Sequence, residues 1–181
     1  MSTFIVKSKV VAQRDTTGLK GFVSVNESSN GNMREVIGAD RTPAAIIDAG
    51  SKLVFCPVPS CARIVDLDYA KETTGTTALD VAVFYPTTIP QGGFNAPAAS
   101  LAGTLISSSA FATNLAGSDL GIGWTSLLGL ATGPTLQAQM QPLWQLLGLA
   151  SDPGIDLDMG FTVRTATVEQ GYVGLRVKYA L

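Results

Sequence analysis

Apolar and polar residues alternate cleanly in two parts of the chain. In Ala62–Ala70, Arg63, Val65, Leu67 and Tyr69 fall on one face and Ile64, Asp66 and Asp68 on the other. The turn cluster Thr73-Thr74-Gly75-Thr76-Thr77 follows, and then Leu79, Val81, Val83 and Tyr85 share one face of Ala78–Tyr85. Two period-two runs joined by a glycine-containing turn predict a β-hairpin. The C-terminal residues repeat the signal. Ile155, Leu157, Met159, Phe161 and Val163 alternate with polar or small residues, Glu169-Gln170-Gly171 turns the chain, and Val173, Leu175, Val177 and Tyr179 alternate again. A second hairpin is expected there.

Weaker signals surround these. Met1–Arg14 reads as an extended arm, and Asp15–Arg41 as loop around Ser28-Ser29-Asn30-Gly31-Asn32, with Phe22–Val25 as a possible strand. Lys52–Phe55 predicts a short strand closed by Pro57 and Pro59. Pro86–Pro97 reads as loop, and Ser100–Trp124 fits a short helix or strands equally well. From Pro134, Leu136, Met140, Leu143 or Trp144, and Leu147 recur at helical spacing, with Pro142 expected to kink or divide the helix and Asp152-Pro153-Gly154 to stop it. Nothing alternates helix with strand as a parallel sheet requires. The pattern predicts a mainly β chain, an antiparallel β-sandwich of jelly-roll type with a short helical segment near 134–150 and an extended N-terminal arm. Residues 1–42 form the arm and loop region, and 43–181 the sandwich with an insert at 86–151.

Charge sharpens that insert. Charged residues make up 14% of the 181-residue chain, against about 25% in an ordinary soluble domain. From Val81 to Ser151, Asp119 is the only one. Such a stretch, still rich in Gly, Ser, Thr and Gln, resembles the charge-depleted core of a protein interface. The chain contains no histidine, which removes the commonest general base and metal ligand. A net charge of −2 gives no footprint for nucleic acid. No signal peptide or membrane-spanning run is expected. Cys56 and Cys61 are spaced for neither a redox pair nor a zinc site and are expected to be buried free thiols.

Candidate chemistry is sparse. Asp66-x-Asp68 and Asp156-x-Asp158 each place two carboxylates on one strand face, roughly 6–7 Å apart. They suit calcium only with a gathering loop, and a glycosidase only by spacing. A solvated face pairing with Arg164, Arg176 or Lys178 is the simpler reading. Gly117–Gly123 matches neither a dinucleotide nor a phosphate-binding loop, and no serine or cysteine has an activating partner. No catalytic, cofactor or metal residue is therefore expected. The residues expected to make contacts are Phe4, Val6, Phe94, Leu101, Phe111, Trp124, Leu127 and Leu128.

The run Pro142-Leu143-Trp144-Gln145-Leu146-Leu147-Gly148-Leu149-Ala150-Ser151-Asp152-Pro153-Gly154, followed by an alternating strand, a turn and the closing Leu175-Arg176-Val177-Lys178-Tyr179, resembles small virion structural proteins of tailed bacteriophages. Ala62-Arg63-Ile64-Val65 and Leu79-Asp80-Val81-Ala82-Val83-Phe84 extend the resemblance over roughly Lys52–Leu181. It implies a non-enzymatic capsid decoration or cement protein. Such a protein is a β-sandwich, often trimeric, that clamps neighbouring major capsid subunits on the virion surface after synthesis in the host cytoplasm. It implies contact with itself and with the major capsid protein, and with neither nucleic acid nor membrane. The alternatives are a tail, neck or fibre component, a carbohydrate-binding jelly roll using Trp124 or Tyr85, and, third, a glycosidase using Asp66 or Asp158.

Overall fold

A computed structural model describes residues 5–7, 33–42, 46–71, 78–91, 95–113, 115, 123–128, 140–165, 167–168 and 171–181. Its strands are β1 (Ile5–Lys7), β2 (Met33–Thr42), β3 (Ile46–Ile47), β4 (Lys52–Pro59), β5 (Arg63–Lys71), β6 (Leu79–Phe84), β7 (Leu105–Ser107), β8 (Gly123–Ser126), β9 (Asp156–Val163), β10 (Thr167–Val168) and β11 (Gly171–Ala180). Sheet I runs β1-β4-β9-β6-β7 and sheet II runs β2-β11-β5-β8, while β3 and β10 form a two-stranded ribbon. Leave out β1 and the ribbon, and number the other eight strands along the chain. The first, eighth, third and sixth then lie side by side in sheet II, and the second, seventh, fourth and fifth in sheet I. That order is a jelly roll.

This topology overturns both expected hairpins. β5 lies in sheet II and β6 in sheet I, and β9 and β11 are divided in the same way. The two strands of each expected hairpin therefore lie in different sheets instead of pairing. The cause is burial on both sides. Every residue of β6 is buried, which a hairpin with one wet face does not allow. Leu79, Val81 and Val83 enter the main core, while Ala82 and Phe84 join Val54 in a second cluster on the other face. Gly103 lies on this side: its N–H donates to Pro86 O, and Lys52 Nζ donates to Gly103 O at 2.7 Å while lying 5.5 Å from the Phe84 ring centre.

The main core fills the space between the sheets. Phe161 of β9 meets Phe55 of β4 and Tyr69 of β5 edge to face, with centroid separations of 5.9 and 5.1 Å. Such pairs add to the area buried by aromatic side chains. β4 does not end at its prolines. It continues through Pro57 and Pro59, which stand opposite Asp158 and Asp156. β1 pairs only with Lys52–Val54, so the other edge of β4 at both prolines has no strand neighbour among the described residues. That is where a strand tolerates a missing N–H.

β5 departs from its predicted phase for a local reason. Lys178 pairs with Asp66, but Tyr179 pairs with Ile64, so Val65 is an extra residue in a bulge. Ile64, Leu67 and Tyr69 consequently face the core, whereas Arg63 and Val65 are exposed. Met33–Thr42, read from sequence as loop beside the arm, is a ten-residue strand paired along its whole length with β11. Of the expected arm, Ile5–Lys7 adds to β4 in parallel.

The helix expected near 134–150 is a single turn, α1 (Leu143–Leu146), in the described residues; 134–139 lie outside them. Pro142 precedes the turn and does not kink it, as its fixed φ and missing N–H favour. Leu143 N–H donates to Ala62 O and Trp144 N–H to Ser60 O, which docks α1 on the β4–β5 turn. The Asp152 carboxylate accepts from Ser60 Oγ at 2.5 Å and from the N–H of Gly154 at 2.9 Å, where the backbone turns left-handed at φ 65°.

Candidate interaction surface

The outer face of sheet II can be read row by row from its register. Glu35, Lys178 and Asp66 form one row, and Ile37, Arg176, Asp68 and Ser126 the next. Ala39, Gly174, Ala70 and Trp124 follow, and Arg41 stands opposite Tyr172 in the last. Lys178 Nζ lies 2.9 Å from Asp66 Oδ2, and Arg176 Nε donates to Asp68 Oδ2 at 2.6 Å. On sheet I, Arg164 Nε donates to Asp80 Oδ2 at 3.1 Å. Asp66 and Asp68 thus pair across strands with Lys178 and Arg176, as expected, whereas Arg164 pairs with Asp80, outside both Asp-x-Asp motifs, and Asp68 is buried and not solvated. The hydrogen bond from Lys178 holds its ammonium pKa above the usual lysine value.

Asp156 and Asp158 lie on β9 in the other sheet, far from Asp66 and Asp68 in topology. Asp158 is buried and, with Lys52, Val54, Phe84, Tyr85, Thr87 and Gly103, lines a cavity of about 10 Å³. That is room for one water and no more. Tyr85 is half-buried there. Among the described residues, no three Cys, Asp or Glu side chains come together as metal ligands would.

The expected contact residues divide by burial. Leu101 and Trp124 are exposed, at 38% and 43%. Phe111 and Leu127 are core residues of their own chain and leave the contact surface. The backbone explains why. Next to Phe111, Ala112 O accepts from Val81 N–H beside β6, and Leu127 N–H donates to Leu67 O beside β5. Each residue is thereby fixed along a strand and faces inward. Leu128 is half-buried against the same core. Val6 sits in β1 opposite Leu53, and Phe4 and Phe94 lie outside the described residues. Cys56 is buried, its thiol donating to Leu175 O at 3.2 Å, and burial pushes its pKa up. Cys61 is exposed on the β4–β5 turn, against expectation.

Sequence reasoning missed a groove on sheet II. Ala39, Ala70, Lys71, Gly123, Trp124, Tyr172, Val173 and Gly174 line an open depression of about 400 Å³. Gly174 makes room for the indole: a Cβ there would stand 3.3 Å from Trp124 Cη2. Arg176 lies over the indole ring at 5.0 Å. No periodicity could have found this site, because its residues come from four strands.

No protein-family model matches the chain, and neither does any curated protein. Two solved structures are similar. A chain from the capsid of Ralstonia phage GP4 aligns at 13% identity over 97% of both chains, with a TM-score of 0.48. A chain from the cyanophage Pam1 capsid asymmetric unit aligns at 15% identity over 92% of this chain and 96% of that one, with a TM-score of 0.40. Neither likeness is close enough to carry an argument about function.

Proposed function

We propose that this chain is a bacteriophage virion structural protein that decorates and stabilises the capsid, assembling with copies of itself as a trimer and clamping neighbouring major capsid subunits. One observation carries the reading. Residues 95–113 contain no charged side chain, yet Ala98, Ala99, Ser100, Leu101 and Leu105 are exposed. Leu101 is 38% and Leu105 44% accessible. Soluble surfaces keep charges interspersed, whereas the centres of interfaces exclude them. The resemblance of Lys52–Leu181 to phage virion proteins points the same way, and so does a strand, β1, that adds to a sheet edge from the far N-terminal arm. Fully burying a leucine contributes about 1.5–3 kcal/mol, and a symmetric lattice repeats that gain at every contact.

The test is binding to purified heads that lack the protein. Saturable, stoichiometric binding is expected, and loaded heads should retain DNA at temperatures that open bare ones. Leu101→Glu with Leu105→Glu should weaken binding by about a hundredfold or more without changing the fold by circular dichroism. Absence of binding, or bare heads as robust as loaded ones, would overturn the reading.

A further inference from the structure

The sheet II groove points to a second kind of contact, independent of the shell role. Trp124 stays 43% exposed although its orientation is fixed. The buried Asp68 carboxylate holds Arg176, Arg176 lies over one part of the indole surface, and the ring is seated over Gly174. Arg176 does not line the groove, so the groove opens on the Tyr172 side of the indole. Tyr172 is 55% exposed there, two residues before Gly174 on the same face of β11. Exposed aromatic rings locked before binding are efficient platforms, because little freedom is lost on contact.

From this geometry we infer that the Trp124–Tyr172 groove is a saccharide-binding site that takes one or two sugar rings. Size argues for a small ligand. About 400 Å³ and eight lining residues match a small-molecule site, not the 20–30 residues a side of a stable protein interface. Chemistry selects the sugar. The floor of Ala39, Gly174 and Ala70 and the two aromatic rings receive an apolar ring face. Arg41, which stands opposite Tyr172, and the Tyr172 hydroxyl supply donors for oxygens around its rim. A wholly apolar ligand would make no use of those donors. A nucleotide meets a chain of net charge −2, and the guanidinium beside the platform, Arg176, is already neutralised by the Asp68 carboxylate.

The test uses Trp144→Phe protein, in which Trp124 is the only tryptophan. Indole fluorescence and ligand-observed NMR would follow titration with glucose, galactose, mannose, N-acetylglucosamine, N-acetylneuraminic acid and their common disaccharides, with ATP as a control. At least one saccharide should bind saturably at millimolar concentration or below, and ATP should not. By NMR, Trp124→Ala and Tyr172→Ala should each weaken that binding by about tenfold or more, while Trp124→Phe retains most of it. Leu101→Glu should leave it unchanged, which separates this site from the shell contacts. Failure of every saccharide to bind, binding of ATP alone, or full binding by a folded Trp124→Ala protein would each overturn the inference.

Discussion

Gly38 and Gly160 occupy points where two backbones come too close for any side chain. A Cβ on Gly38 would collide with the Phe55 carbonyl, and one on Gly160 with the Leu53 carbonyl. Both obstacles are backbone, so relief requires a strand to move. Gly38→Ala and Gly160→Ala should each cost about 1–3 kcal/mol or more in urea unfolding. Lys71 makes a different prediction. Burial lowers its pKa from 10.5 to about 8. Below about 8 both folded and unfolded chains hold the proton, and the folded chain bears the full cost of burying the charge. Between that pH and 10.5 the unfolded chain binds more protons, so this residue's contribution to stability rises with pH. Lys71→Met should therefore raise the melting temperature in mildly acidic buffer, and its advantage should shrink above pH 8. Cys56, whose thiol pKa is raised, acts in the opposite sense: its contribution falls as pH passes 9.0. Comparing the variant with the parent at each pH isolates the lysine.

At the scale of elements, the ion pairs on sheet II are unequal. Asp68 and Arg176 have side chains 6% and 27% exposed, against about 30% for Asp66 and Lys178. Arg176→Met leaves a buried carboxylate without its partner and should cost about 3 kcal/mol. Lys178→Met should cost less than about 1 kcal/mol. Chemical denaturation of the two variants decides it, and equal losses would contradict the account. Strand positions were legible because alternation is local: β9 falls within the stretch that the pattern marked, and β11 contains the other, beginning at Gly171, which was read as turn. Partners were not. Two alternating runs joined by a turn look alike whether the turn closes a hairpin or carries the chain across a sandwich, and only the burial of both faces of β6 tells them apart. β2 was missed because Arg34, Glu35, Asp40 and Arg41 hide its alternation. The bulge at Val65 inverted the phase of one strand for the same kind of reason. An insertion is visible only against a partner strand.

Over the whole molecule, the uneven charge has two structural sources. Part of the neutral insert is neutral because it is core: Ile89, Phe111, Ala112, Leu115, Leu127 and Leu143 are buried with the sandwich residues. Another part, around Leu101 and Leu105, is neutral while exposed, and on this part the shell proposal depends. The groove was illegible in advance because Trp124 and Tyr172 are 48 positions apart and meet only through the register of β8, β5 and β11. The most direct measurement is a density map of the particle encoded with this chain, in which its copies are located and counted. The account predicts copies on the outer surface of the head, grouped in threes, with Leu101 and Leu105 buried against a neighbour. Copies confined to the tail, a particle without the chain, or copies with that neutral surface facing solvent would contradict it.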